Sequence, residues 1–546
     1  QFDRDRNQHP DPRYQGATGD GIAALLLGYA SWAQITTTNF ISSEKKTFAF
    51  YGQTDWKVSP KLTLNLGVRY ELFSPVSEKF GRQSNFDWDR QTLVLPKGKD
   101  QDTPVPSNFN ILFPTVKVER GQVSKYLVPW DKTSIGPRIG LAWSVQPTTV
   151  VRAGYGIFYG GEENEGGNPN RGEGVPYNLI ANLTMPPDVG AFDINPLFPR
   201  LSQGFPLNVF QLPGRLQLRG LTTHLRMPLV HKWNIALQRE LPSSMALEIS
   251  YIGNHQAHQW YQWDPNTIYP RPDLPAGSVP TDSLRPVPAL GGVNYLWSFG
   301  YGNYAGLATK LEKRYAQGLD FLVAYTWGHA LSNVGTPLFG PQGTFGTRGN
   351  PRDIGEQYSS AAWDIRHNFT TSFVYDLPFG RGKKFGGQMG RGADILLGNW
   401  QVNGVLAFRT GPPFGLGTRY GVGYIGTIHP DVVSGKDPKN APSGGRTPDQ
   451  WFDISAVDRP VAYTPGTLGN QSNNRPGERN LDLSLFKDFR VTERYRFQFR
   501  AESFNFTNTP KFGMPGSTHG DADFGRISST VSGTERHFQL ALRFMF

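Results

Sequence analysis

The chain of 546 residues has no cysteine, 63 glycines, 43 prolines, 13% aromatic residues and a formal net charge of +10. The lack of cysteine excludes disulfide scaffolds, zinc ribbons and thiol nucleophiles, and no stretch approaches the roughly 18–20 consecutive apolar residues of a membrane-spanning helix. The positive charge is spread along the chain with no block of five or six basic residues, so it reads as surface chemistry and gives no nucleic-acid partner.

Residues 1–29 read as a polar lead that ends in a short helical turn over 20–29. From residue 30 to residue 546 the dominant signal is alternation of apolar and polar side chains at period two, the side-chain period of a β-strand. A weak segment near 30–40 is followed by 46–58, with Phe48, Phe50 and Trp56 against Tyr51, Gln53, Asp55 and Lys57. Residues 61–73 set Leu62, Leu64, Leu66, Val68, Tyr70 and Leu72 against Thr63, Asn65, Gly67, Arg69 and Glu71. Segments 137–145 and 148–160 repeat the pattern through Ile139, Leu141, Trp143, Val151, Tyr155, Ile157 and Tyr159. Fainter versions lie near 229–240, 244–253, 304–314, 318–332, 367–377, 398–410 and 480–490. Clear alternation returns at 494–508 and in the final segment, where Phe538, Leu540, Leu542, Phe544 and Phe546 share one face. The sum is about fourteen strands, most of about ten residues or more. Soluble strands average about 5–6 residues, whereas a tilted membrane strand needs about 9–11.

The polar face carries Asp55, Lys57, Arg69, Glu71, Arg138, Arg152, Arg496, Arg500 and Glu502 in mid-strand. Apolar outside and polar towards a wet lumen is the arrangement of a barrel in lipid. Aromatic residues at strand ends (Trp56, Tyr70, Phe73, Tyr159, Trp327, Phe546) suit interfacial girdles. Counted back from Phe546, the connections are 509–534, 491–493, 411–479, 378–397, 333–366, 315–317, 254–303, 241–243, 161–228, 146–147, 74–136 and 59–60. Long and short alternate throughout, with 378–397 of medium length. The expected fold is therefore all-β, an antiparallel transmembrane β-barrel of the outer-membrane type. Its short turns, Phe546 and the 20–29 helical turn lie on the periplasmic side, and the long loops 161–228, 254–303 and 411–479 lie outside. Pro, Gly and Ser in the short turns (Pro60, Pro147, Pro242, Ser243, Gly318) supply the reversals.

Several phrases resemble the barrel of TonB-dependent outer-membrane receptors, in the Oar-like group. They include Tyr51-Gly52-Gln53-Thr54-Asp55-Trp56-Lys57, Gly136-Pro137-Arg138-Ile139-Gly140-Leu141-Ala142-Trp143 and Leu377-Pro378-Phe379-Gly380-Arg381-Gly382. Gly398-Asn399-Trp400-Gln401-Val402-Asn403-Gly404, Asn480-Leu481-Asp482-Leu483-Ser484-Leu485-Phe486-Lys487 and Phe497-Gln498-Phe499-Arg500-Ala501-Glu502-Ser503-Phe504-Asn505 extend the likeness over nearly the whole chain. The resemblance implies a barrel of about 22 strands, a plug domain folded inside it, and energy delivered by the inner-membrane TonB complex. It also makes Phe538, Leu540, Leu542, Phe544 and Phe546 the signal read by the barrel assembly machinery. No plug-like segment is seen ahead of the strands, so the chain is expected to be the C-terminal barrel portion without the plug and first strands. Because unpaired backbone groups are costly in lipid, the missing strands would complete the sheet and pair with the last one.

His255 and His258 are placed in an external loop without a third ligand at a typical spacing. Glu162, Glu163 and Glu165 read as a solvated acidic loop rather than a calcium site. The run Gly380-Arg381-Gly382-Lys383-Lys384 lacks the phosphate-loop spacing and reads as a basic turn at a membrane surface. Gly154 and Gly156 in mid-strand allow close approach or a bend. No catalytic residue, metal or cofactor is expected. The expected function is import of a scarce nutrient, an oligosaccharide, a siderophore or similar. Trp260, Tyr261, Trp263, Tyr295 and Trp297 are the candidate contacts, and packing of the loops against each other is their other reading. Two further functions stay open: a non-transporting surface protein or adhesin, and a secreted all-β polysaccharide-acting enzyme with a paired-carboxylate cleft.

Overall fold

The computed structural model describes residues 21–27, 32–36, 40–160, 174–177, 180–184, 218–334, 355, 357–424, 428–492 and 494–546. Glu162, Glu163 and Glu165 lie outside them.

One fifteen-stranded sheet dominates, and thirteen of its strands follow one another as antiparallel neighbours in chain order. These are β1 (Thr47–Ser59), β2 (Leu62–Phe73), β3 (Ile135–Gln146), β4 (Thr149–Tyr159), β5 (Leu229–Leu241), β6 (Met245–Trp263), β7 (Val293–Ala316), β8 (Leu319–Ser332), β9 (His367–Asp376), β10 (Trp400–Arg409), β11 (Glu478–Arg490), β12 (Arg496–Phe504) and β13 (His537–Met545). β1 and β13 are the edges of this order. Every strand has at least 9 residues, the length a tilted span of the hydrocarbon requires. No helix among the described residues is long and apolar enough to cross a membrane; crossing falls to the strands.

Register turns the period-two pattern into two continuous faces. From β1 to β4 the apolar face runs Trp56↔Leu64↔Leu141↔Ala153, with Phe50↔Tyr70↔Ile135 beside it. From β4 to β9 it runs Val151↔Leu237↔Ile249↔Thr309↔Tyr325↔Phe369. From β10 to β13 it runs Val402↔Leu485↔Ala501↔Leu540. Ile139, Ile235, Ile249, Leu307, Trp327, Leu540 and Leu542 on this face are exposed, as lipid-facing side chains are. One residue along in every strand, the other face carries Asp55, Asn65, Arg138, Arg152, Glu248, Lys310, Asp376, Arg409, Glu478, Asp488, Arg496 and Arg500.

Three expectations need correction. The segment near 30–40 does form a strand, Trp32–Thr36, but it pairs with Ile180–Thr184 in a separate two-stranded sheet, so the large sheet follows thirteen strands and not fourteen. Residues 254–303 are not one loop: β6 has 19 residues and β7 has 24, and together they carry the hairpin well past the apolar band. His255 and His258 therefore sit within β6 and not in a loop. The cause is a break in register between Gln256 and Gln259 and again between Gln259 and Tyr261, with His258 at a positive φ of 55°. A bulge flips the alternation and hides the upper strand from a period-two reading.

Helix α1 (Gly21–Leu27) falls in the expected turn. A second short helix, α2 (Arg391–Leu397), lies in the medium connection between β9 and β10. The buried core lies at the opposite end of the wall, in the long connections. Phe86, Leu93, Leu95, Phe109, Phe113, Val175, Tyr177, Leu218, Val293 and Tyr295 form one cluster. Phe414, Leu416, Phe452, Val457 and Leu468 form another.

Candidate functional site

The wall offers two surfaces with chemistry: its polar face and the folded loops at one end of it. On the polar face, charged groups find partners across strands, along one strand (Lys310 and Glu312 are both in β7) and on an adjoining connection. Gln238 Nε2 donates to Glu248 at 2.9 Å and Gln401 Nε2 to Asp376 at 2.8 Å. Lys310 pairs with Glu312 at 2.9 Å and Lys511 with Glu478 at 3.2 Å. Glycines let long side chains lie flat on the backbone. A Cβ at Gly154 would meet the Asn234 amide oxygen at 2.9 Å, and one at Gly156 would meet the Phe158 ring at 3.0 Å. These two glycines allow close approach. Arg138 lies over that same Phe158 ring at 4.8 Å, with Lys232 at 5.4 Å. A cleft of ≈ 220 Å³ opens where β11, β12 and β13 meet the 505–536 connection, lined by Glu478, Asp482, Lys511, Glu535 and His537.

The long connections are built, not draped. Asn85 fixes two of them to each other: its Nδ2 donates to the Leu221 carbonyl at 3.1 Å, and Leu221 N donates to its Oδ1 at 2.7 Å. Asp131 accepts from Met227 N at 2.9 Å and from Thr133 N at 2.9 Å. Burial pushes the Asp131 carboxyl up, but the bonds from Thr133 and Met227 outweigh it and hold the group below its ordinary value. Buried Tyr177 donates to the Asp100 carbonyl at 2.9 Å, and desolvation pushes its phenol up to about 12. Asp264 is raised by burial, against bonds from Val293 N and Arg285. Arg285 reaches it at 2.9 Å and Asp282 at 2.7 Å.

The five aromatic candidates lie together on the raised β6–β7 hairpin. Trp263 stands opposite Tyr295 and Tyr261 opposite Trp297. Trp263 and Trp297 meet edge to face at 5.9 Å, Tyr295 and Trp297 at 5.6 Å, and Phe299, absent from the expected set, joins Trp297 at 5.5 Å. Trp260, Tyr261 and Tyr295 are buried in the loop cores, whereas Trp263 and Trp297 are half-buried. Trp260 Nε1 donates to the Arg226 carbonyl at 2.8 Å, and Tyr261 donates to Gln357 at 2.5 Å. The indole N–H groups of Trp263 and Trp297 have no acceptor among the described residues. Phe299 follows Tyr295 and Trp297 at period two, a signal present in the sequence.

His255 Nδ1 bonds to Asn303 Oδ1 at 2.8 Å. Among the described residues, no group of three or more His, Cys, Asp or Glu side chains could hold a metal ion. Phe538, Leu540, Leu542 and Phe544 share the apolar face of edge strand β13 with Phe546 just beyond it, and all five are exposed, Phe546 at 82%.

Antiparallel strands of spanning length, an apolar outer band, a charged inner face and long connections gathered at one end define an outer-membrane barrel wall. The chain matches the model of the outer membrane beta barrel domain over residues 1–539 and belongs to that family. Its place is the cell outer membrane. Among solved structures it is similar to the ferripyoverdine receptor of Pseudomonas aeruginosa, with 10% identity, 93% of this chain and 39% of that one covered, and a TM-score of 0.41. It is also similar to the ferric-catecholate import receptor Fiu of Escherichia coli K12, with 12% identity, coverage of 92% and 45%, and a TM-score of 0.40. The iron transporter FrpB of Neisseria meningitidis matches with 11% identity, coverage of 93% and 46%, and a TM-score of 0.38. The chain thus spans less than half the length of these three proteins. No curated protein matches it.

Proposed function

We propose that the chain is the barrel portion of a TonB-dependent transporter that imports a scarce nutrient, an oligosaccharide, siderophore or similar molecule. The observation that carries this is the one-sided build of the molecule. Among the described residues, the long connections gather at one end, fold around their own cores, and carry the half-buried aromatics Trp263 and Trp297. A flat aromatic face is what a sugar ring or a siderophore chelate can stack on. The charged inner face below suits a path for a polar solute. In this reading a plug domain encoded with the barrel receives force from TonB, and the barrel assembly machinery reads the face ending at Phe546. Family membership and the lipid-facing band support an outer-membrane protein over a secreted enzyme.

The test is uptake by cells that carry the whole gene. Ferric hydroxamate and catecholate chelates and labelled maltodextrin are offered with TonB present and absent. One probe is expected to enter only with TonB, and Trp263→Ala with Trp297→Ala is expected to reduce its uptake at least tenfold at unchanged surface level. Surface binding of a probe or of host material with no TonB-dependent uptake would support the adhesin reading instead.

A further inference from the structure

We propose that the 377–399 connection is an interfacial anchor that grips the anionic phospholipid headgroups of the membrane leaflet at the short-turn end of the wall. The other connections at that end are tight reversals such as 317–318 and 242–244, whereas this one contains helix α2. Its composition is amphipathic. Arg381, Lys383, Lys384 and Arg391 are all exposed and form no ion pair among the described residues. The single acid, Asp394, is occupied by a bond from Arg381 N at 2.7 Å. Beside the cations stand five exposed large apolar side chains: Phe379, Phe385, Ile395, Leu396 (70%) and Leu397. Phe379 and Phe385 pair at 5.5 Å. In water such a patch on so short a segment is unfavourable. At a bilayer interface, aromatic and leucine side chains enter the acyl boundary while basic groups meet phosphates.

Two bonds settle where the patch sits. Trp400 Nε1 donates to the Leu396 carbonyl at 2.8 Å, and Lys487 Nζ donates to the Gly398 carbonyl. Trp400 and Lys487 face each other across β10 and β11, on the row that continues through Val402 and Leu485, the lipid-facing row. Lys487 is itself buried, its ammonium 5.7 Å from the Trp400 ring centre and 5.1 Å from that of Phe489. Helix α2 is thus tied to the outer, apolar side of the wall, at its rim and away from the polar face. The occupant is lipid, with a charge opposite to the four cations.

The chain has no cysteine, so Leu396→Cys gives the only spin-label site within it; in the full-length protein, with any cysteine outside the chain changed to serine, it is reconstituted in bilayers of zwitterionic lipid with or without phosphatidylglycerol. The readout is collision with a water-soluble nickel chelate against collision with oxygen. Phosphatidylglycerol is expected to lower nickel collision several-fold. The quadruple change Arg381→Gln, Lys383→Gln, Lys384→Gln and Arg391→Gln is expected to abolish that lipid-charge dependence, since each basic residue is worth roughly fivefold at an anionic surface. Heat-shifted gel mobility confirms that each variant is folded. A label open to nickel in both lipids overturns the proposal, as does protection equal in both lipids and kept in the quadruple variant. Dipolar coupling between labels would assign the patch to a second copy of this chain, which also overturns it.

Discussion

Leu406 and Val405 are neighbours in β10, at nearly the same depth, on opposite faces. Leu406 stands between Thr371 and Leu481 on the apolar face, and Val405 between Ser372 and Asp482 on the polar face. β10 has 10 residues; at about 3.3 Å per residue and a tilt near 40° it spans about 25 Å, the height of the apolar band. Leu406 then lies about 4 Å from the strand's midpoint and Val405 nearer still. Arginine on the lipid face at this depth costs about 2–4 kcal/mol, and near nothing towards a wet lumen. Leu406→Arg is therefore expected to lower the folding equilibrium constant by roughly thirty- to several-hundred-fold. Val405→Arg is expected to change it by less than about threefold, because its guanidinium enters water opposite Asp482. Reversible urea unfolding in lipid vesicles, followed by tryptophan fluorescence, measures both. Equal costs, or a larger cost at Val405, would refute the assignment of the two faces and with it the lumen.

Three further outcomes are expected. Tyr463 is buried and holds Val279 through both backbone groups, donating to its carbonyl at 2.5 Å and accepting from its N–H at 3.0 Å; Tyr463→Phe should cost about 1–3 kcal/mol of loop stability and speed proteolysis of both connections, whereas an unchanged cleavage pattern would count against the tie. Asp131 is depressed in the folded state, so its contribution is complete above the ordinary value of 3.8 and is lost as pH falls through the folded value. The protection of the Met227 N–H, taken relative to its intrinsic exchange rate at each pH, should therefore fall in acid, and Asp131→Asn should remove that dependence. Deletion of Phe546 should reduce the heat-shiftable fraction in cells several-fold while leaving refolding in detergent nearly unchanged; loss of both would make Phe546 a folding residue and not a recognition signal.

The wall was legible because its cause is local. A strand with lipid on one side and polar groups on the other must alternate, and segments such as 61–73 and 494–502 alternate almost without exception. The alternation of long and short connections also follows from the chain alone, since adjacent antiparallel strands turn at opposite ends. What lay beyond the pattern lacked a period. The upper parts of β6 and β7 follow bulges that invert the faces, so Trp260, Tyr261 and Trp297 read as loop residues. The loop cores assemble from scattered pieces: Phe86, Leu93 and Phe109 meet Val175, Leu218 and Tyr295 from three other stretches of chain. Nothing local marks Lys487 as buried, because its cover is a helix some ninety residues upstream. The reading of Arg381, Lys383 and Lys384 as a membrane-surface turn needed only composition; its attachment to the outer face of the wall needed Trp400 and Lys487 in register.

The two ends of the wall are stabilised by different means, and this bears on how a solute could pass. At the short-turn end, connections such as 317–318 add no core, and the strands rely on the sheet and on lipid. At the loop end, apolar burial holds the connections together independently of lipid, each fully buried Leu or Phe being worth about 1.5–3 kcal/mol before ordering costs. Those cores cross strand order. Asn85, after β2, holds Leu221, before β5; Tyr463, before β11, holds Val279, between β6 and β7. None of these tied connections can lift away singly without breaking such a bond and exposing part of a core. Local opening of one connection is therefore costly, while movement of the tied connections as a unit, about their junctions with the strands, keeps those bonds intact. The half-buried Trp263 and Trp297 ride on the longest of these elements, the β6–β7 hairpin, so a ligand bound to them would act on the tied connections together.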